Sequence, residues 1–270
     1  MAISAKDVMA LRKRTGLGMM ECKEALKETD GDTDAAIAYL QEKLGKKMDD
    51  RSDREASEGA IATASNDGSV TMIALKSETD FTAKNDNFRK GATQCAQLAL
   101  SGDDGDISET TEAMNEIIDE LRITIKENIS LGSGIKLSGE KVGSYVHHTG
   151  KLGVVITGEG DLSEDLLKGL CQHIVVADGE GMWKIPLAID EAGLPADQLE
   201  AAKKAAVDEA VASGKPEQIA EKIAAGKTKK WISDHTLLGQ IYAREMDAKK
   251  PISAYIPEGA KITGYKKFEL

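Results

Sequence analysis

The chain has 270 residues, 30% of them charged and 41% hydrophobic, with a net charge of −11 at pH 7. Those proportions suit a soluble globular fold of one large or two to three small domains, and argue against disorder. No apolar run approaches the roughly 20 residues that cross a bilayer. The opening residues, Met1 to Asp7, lack the basic and apolar regions of a signal peptide. Three scattered cysteines, Cys22, Cys95 and Cys171, form no C-x-x-C pair, which disfavours a disulfide framework or zinc site and fits a reducing, cytoplasmic setting. The acidity is concentrated between residues 55 and 140, which carry 7 basic and 16 acidic side chains. Displacing counterions from phosphates needs Lys and Arg, so direct nucleic-acid binding is disfavoured. With 3 Phe and 2 Trp there is also no base-stacking platform. An acidic middle points to a protein partner or to solubility.

Residues 1–45 read as a three-helix module. Ser4 is a candidate N-cap for a first helix with Val8 and Leu11 on one face and Gly16 as its stop. Gly18 precedes a second helix carrying Met19, Met20, Cys22, Ala25 and Leu26. After an Asp30-Gly31-Asp32 turn, Ala36, Ile37 and Leu40 line a third. So small a unit buries little core and is expected to lean on something else. Residues 46–58 are highly charged, without apolar periodicity, and read as a linker or a solvated helix.

Two later segments share one pattern of strand, tight turn, strand and helix. The first runs from Glu58 through the Asp67-Gly68 turn to a helix with Phe88, Ala92, Cys95 and Leu98. The second runs from Lys141 through Thr149-Gly150 to a helix with Leu166, Leu167, Leu170, Cys171 and Ile174. They divide the core into residues 59–140 and 141–270, two versions of one α+β design with antiparallel sheets. Between them a helix is expected over Glu109 to Asn128. Pro195 and Pro216 each open a helix, giving a helical hairpin over about 195–228 whose second helix stops at Gly226. The tail, residues 260–268, alternates as a closing strand.

Most chemical motifs fail on inspection. Gly226-Lys227-Thr228 ends like a phosphate-binding loop, but Glu221 stands where that loop needs Gly, and helix rather than strand precedes it. Asp30, Asp32 and Asp34 imitate a calcium loop, yet Ala35 and Gln41 replace its Gly and bidentate Glu. His147, His148, His173 and His235 lack metal-ligand spacing, and no nucleophile–base constellation is present. The expectation is a protein without cofactor, metal or covalent chemistry.

What remains is Thr79-Asp80-Phe81-Thr82-Ala83-Lys84, at the junction of a strand and a helix. Two readings stand: Asp80 as a cap with Phe81 folded into the core, or Phe81 exposed as an aromatic anchor for a partner, offering large apolar area at low entropic cost.

Leu11-Arg12-Lys13-Arg14-Thr15-Gly16-Leu17-Gly18-Met19-Met20-Glu21-Cys22 resembles the N-terminal signature of the elongation factor Ts family, and Thr79-Asp80-Phe81 with Ala83-Lys84 resembles its second. Gly143-Ser144-Tyr145 with His147, and Ser213-Gly214-Lys215-Pro216 with Ile219-Ala220-Glu221-Lys222, fit its carboxy-terminal half. The resemblance implies a ubiquitin-associated-like helical domain, a two-part α+β core, a helical protrusion and GDP–GTP exchange on elongation factor Tu. It implies that Arg12, Met19 and Met20 grip the partner's GTPase domain. It places Thr79, Asp80, Phe81, Thr82, Ala83 and Lys84 near the partner's magnesium site, and His147 in a further contact region. The chain departs from the family with Ala74 and Lys76 ahead of the motif, with Thr82 in place of Val, and over residues 178–185.

Overall fold

In the computed structural model, which describes residues 3–49, 53–212, 214 and 216–270, Ser4 does open the first helix, α1 (Ala5–Thr15). Its hydroxyl accepts the Asp7 N–H while the Asp7 carboxylate accepts the Ser4 N–H, a reciprocal cap. The Ser4 hydroxyl also donates to Asp7 Oδ2 at 2.7 Å, and that bond, followed by the one from the Ser4 N–H, holds the Asp7 carboxyl below its ordinary range. Gly16, at φ +70°, ends the helix in the left-handed region where glycine is least strained. In α2 (Met19–Glu28) the Glu21 carboxylate reaches back to the Gly18 N–H at 3.0 Å. Asp32 caps α3 (Thr33–Asp49), its Oδ1 accepting the Asp34 and Ala35 N–H groups at 2.9 and 3.0 Å. The acidic cluster there starts a helix. The charged stretch after residue 45 begins as a continuation of α3, which runs through Asp49.

Val8, Leu11, Leu17, Cys22, Leu26, Leu40 and their neighbours form the module's core, and Ile123 of the following α/β unit completes it. The module leans on that unit as its size requires.

The first half pairs β1 (Glu58–Asn66) with β2 (Ser69–Ser77) around the Asp67-Gly68 turn. After α4 (Asp80–Ala83) and α5 (Asp86–Ala99) come β3 (Gly105–Ile107), α6 (Glu112–Ile125) and β4 (Ser130–Ser138). The sheet order is β1-β2-β4-β3, and the last two strands are additions to the sequence reading. In the second half β5 (Lys141–Val146) and β6 (Leu152–Glu159) form the hairpin, α7 (Glu164–Val176) follows, and β7 (Lys261–Glu269) closes the sheet in the order β5-β6-β7. In both halves a later strand, β4 in the first and β7 in the second, pairs with the hairpin's second, across a register shift at Ala74/Leu75 and at Thr157/Gly158.

Strand alternation stacks these parts. Ile73 and Leu75 face α5 and α6, together with Ala60, Ala62 and Phe88. Val70, Met72 and Ala74 face the other way and meet Ile61, Val155 and Phe268. Val154 and Ile156 turn outward to Leu167, Leu170 and Ile174 on α7. The order of layers is therefore helix, sheet, sheet, helix. Between the sheets Gly153 leaves no room for a side chain, since a Cβ there would stand 2.8 Å from the Met72 sulfur and 2.9 Å from Ile61 Cγ2.

The helical hairpin is α8 (Ala196–Ala212) against α9 (Glu217–His235), meeting through Ala206, Ala210, Ala220 and Ala224. Gly226 does not stop α9, which continues to His235. A mid-helix glycine costs only about 1 kcal/mol relative to alanine. The alanine seam before Gly226 and the anchored base after it outweigh that, with the His235 carbonyl accepting the Leu187 N–H at 2.9 Å. Lys227 pairs across the hairpin with Glu209. Among the described residues no helix is long and apolar enough to cross a membrane.

Candidate functional site: an anchored aromatic turn

Two helix starts follow each other where β2 ends. The Thr79 hydroxyl accepts the Thr82 N–H at 3.3 Å and caps the one-turn α4. Asn85 then accepts the Asn87 and Phe88 N–H groups, at 2.8 and 3.3 Å, and starts α5 in a new direction. The result separates two aromatics seven positions apart. Phe88 is fully buried, whereas Phe81 is 82% exposed, so Phe81 is not a core residue. Thr82 and Ala83 point inward and are buried, leaving Asp80, Phe81 and Lys84 as the outward side chains of the motif. Lys84 Nζ lies 2.7 Å from Asp80 Oδ2. This hydrogen bond, helped by the Lys84 and Lys151 charges, holds the Asp80 carboxyl below its ordinary range and keeps it ionised.

The turn is held from the α6–β4 connection. Glu127 Oε2 accepts the backbone N–H groups of Glu78 and Thr79, both at 3.1 Å, and Glu127 Oε1 accepts the Thr79 hydroxyl at 2.6 Å. In return Glu78 Oε1 accepts the Asn128 N–H at 2.7 Å, and Glu78 Oε2 pairs with Arg54 at 3.2 Å. At the other end of the turn, Arg89 Nε donates to the Ala83 carbonyl at 3.1 Å. Neither Glu127 nor Arg89 was indicated by the sequence reading, since neither belongs to a local pattern that points at Phe81.

His147 lies in the β5–β6 turn. Its carbonyl accepts the Gly150 N–H at 2.8 Å, and its Nδ1 is 3.0 Å from the Thr149 hydroxyl. The Gly150 carbonyl accepts the Ile61 N–H at 2.8 Å, and Lys151 pairs with Glu58 at 2.6 Å. These contacts lay the turn across β1, and the His147 and His148 rings line a shallow groove with Arg89 and Thr93 of α5. Lys151 also acts electrostatically on Asp80. The second half thus brings His147 and Lys151 to the side of the molecule that bears the aromatic turn.

On the helical module Met20 is 76% exposed, and Met19 and Arg12 are exposed beside it in sequence and on α1. Met9, also exposed, stands one turn before Arg12 on the same helix; the i, i+3 spacing was the available signal. Flexible methionines suit an adaptable apolar contact. The module is tied to the α6 end by Lys126, whose Nζ is 2.8 Å from Glu21 Oε1.

Burial pushes the Cys95 thiol up to about 11 and Cys171 to about 12, away from nucleophilic use. Among the described residues no three His, Cys, Asp or Glu side chains converge to hold a metal ion. The site offers an exposed aromatic, a flanking ion pair and apolar methionines, which is the chemistry of protein recognition.

The model of the family described as Elongation factor TS matches residues 78–270. A protein named elongation factor Ts from Dinoroseobacter shibae is 38% identical, over 100% of this chain and 93% of its own length. Those from Magnetococcus marinus and Nitratiruptor are 36% and 38% identical, over 100% and 98% of this chain and 93% and 89% of their own lengths. With the aromatic turn inside the matched segment and the helical module covered by the relatives, the chain belongs to the elongation factor Ts family.

Proposed function

We propose that the chain serves translation elongation as a guanine nucleotide exchange factor, binding elongation factor Tu in its GDP-bound and nucleotide-free forms and promoting GDP release. The observation that carries this reading is Phe81, a large aromatic held in solvent on a turn whose adjoining Thr82 and Ala83 are buried. Exposing it gains nothing for the fold, so its apolar area is available to a partner.

The physical logic is linkage. A factor that binds the nucleotide-free partner more tightly than the GDP-bound partner must weaken GDP by the same ratio. A hundredfold weakening corresponds to about 2.8 kcal/mol of differential affinity. Arg12, Met19 and Met20 supply a grip common to both forms of the partner. Asp80 and Phe81, with Thr79 and Lys84 shaping the turn and Thr82 and Ala83 packed beneath it, enter near the partner's magnesium and phosphate site. Contacts to magnesium are lost there, and GDP loosens. His147 adds a weaker contact from the second half. The factor performs no covalent step and requires no cofactor of its own, no nucleic acid and no membrane.

Stopped-flow release of a fluorescent GDP from purified elongation factor Tu tests this. Phe81→Ala is expected to fold normally and to slow factor-saturated release about thirtyfold, the loss of one hot-spot side chain. Release at the unsubstituted rate contradicts the assignment.

A further inference from the structure

The turn bearing Phe81 cannot hold itself. α4 is four residues long, far below the roughly 12 at which an isolated helix becomes even marginal in water. Its one aromatic side chain is in solvent and contributes no packing. Its direction must come from outside, and the hydrogen bonds identify the source.

We propose that Glu127 is a positioning residue for nucleotide exchange, holding the aromatic turn in the orientation in which Phe81 meets the partner; this rests on the exchange reading above. Both oxygens of one carboxylate are committed to the two residues immediately before Asp80. Two backbone N–H groups and the Thr79 hydroxyl converge on it, at 3.1, 3.1 and 2.6 Å. Thr79 is also the N-cap of α4, so the residue that Glu127 grips is the residue from which the helix axis departs. Hydrogen bonds to an ionised acceptor are about twice as strong as neutral ones and fix geometry tightly. Glu78 closes the arrangement by accepting the Asn128 N–H at 2.7 Å, which joins the two segments in both directions.

The backbone of the holding segment is itself unusual. Lys126 ends α6 in the left-handed region at φ +67°, although it is not glycine, a conformation that costs about 1 kcal/mol for such a residue. That bend follows directly after α6 and precedes Glu127, which reaches back to Thr79. Lys126 also pairs with Glu21 of the helical module, and Ile123, one turn earlier, lies in the module's core. A single stretch of chain, 123–128, therefore fixes the gripping module on one side and the aromatic turn on the other. Their mutual placement is what a partner engaging both surfaces at once would require.

The test is GDP release from elongation factor Tu, titrated with wild-type factor, Glu127→Ala, Glu127→Gln, Phe81→Ala and the Phe81→Ala/Glu127→Ala double variant. Misplacing a working group by about 1 Å costs up to about a hundredfold. Glu127→Ala is accordingly expected to lower the saturating release rate by about tenfold, within the loss expected for Phe81→Ala itself. The half-saturating factor concentration, set by the grip, should change far less. Glu127→Gln keeps one carbonyl acceptor and should fall between wild type and Glu127→Ala; it also supplies the result should the alanine variant fail to fold. Because Glu127 acts through Phe81, the double variant should be no slower than Phe81→Ala alone. In the free factor, amide hydrogen exchange at Glu78 and Thr79 should accelerate while exchange in α5 stays protected. An unchanged saturating rate in both Glu127 variants, or multiplicative losses in the double variant, would overturn the proposal. A Phe81→Ala variant with normal activity would instead remove the exchange reading itself, and this inference with it.

Discussion

The two halves of the core solve one structural problem in different ways. Each runs a β-hairpin into a helix that covers its own sheet. In the second half the connection from β6 to α7 is short, residues 160–163, and its one large apolar side chain, Leu162, is 3% exposed within the core beneath α7. In the first half the corresponding connection from β2 to α5 is twice as long, residues 78–85, and spends the extra length on α4. Its large apolar side chain, Phe81, is 82% exposed. The design can evidently pass from strand to helix without an added turn and without exposing an aromatic. The difference marks the turn as something that the fold does not need for itself, and the bonds from Glu127 show that the molecule nevertheless holds it in place.

The comparison predicts opposite consequences for chemically similar changes. Phe88→Ala removes a fully buried ring from the first half's core and is expected to destabilise by about 3–5 kcal/mol. Leu162→Ala should cost about 2–5 kcal/mol in the second half. Phe81→Ala should shift stability by no more than about 0.5 kcal/mol. Urea unfolding midpoints would show this ranking, and a Phe81 variant as unstable as the Phe88 variant would erase the distinction between the halves.

A smaller effect separates the halves by pH. His173 on α7 is fully buried, with its Nε2 2.8 Å from the Gln240 carbonyl oxygen and its Nδ1 accepting the Ala243 N–H at 3.2 Å. Both nitrogens are used in the neutral form. Burial depresses the His173 pKa below its ordinary value near 6.5, against an opposing contribution from Gln240. The unfolded chain therefore takes up this proton first. The stabilisation is complete above about pH 6.5 and is lost as pH falls from there toward the depressed folded value. Hydrogen exchange followed from pH 7.5 down to 5.5 should weaken around α7 earlier than around α5. His173→Gln should remove that asymmetry.

The smallest expected effect lies on the hairpin. A Cβ at Gly226 would meet nothing within 4 Å, so Gly226→Ala should raise stability by about 0.5–1 kcal/mol, read as a higher melting temperature. A decrease would mean that α9 breaks where the sequence suggested.

What could be read in advance follows the range of the interactions. Ser4, Gly16 and Asp32 act on neighbours within a few residues, and their helices start or stop as their chemistry dictates. The Asp67-Gly68 and Thr149-Gly150 turns are equally local. β4 was hidden because its pattern is interrupted by Gly132 and Gly134. The second is required by packing, since a Cβ there would run into the Ile73 and Ile107 side chains. β3 is three residues long and carries almost no pattern. Gly226 is a local stop signal, and the alanine seam that overrides it lies across the hairpin, outside the reach of local pattern. At the site, residue types alone left Phe81 divided between core and solvent. What decides its position is Glu127, 48 residues away from Thr79, a distance across which a single sequence carries no periodicity.

The central claim is that Phe81 is held outside the fold for a partner's use. The most direct measurement is the saturating rate of GDP release from elongation factor Tu, with Phe81→Ala and Leu162→Ala compared at a temperature where both are fully folded. The account predicts a loss of about thirtyfold for Phe81→Ala and a rate close to wild type for Leu162→Ala. Equal rates for the two variants would contradict it.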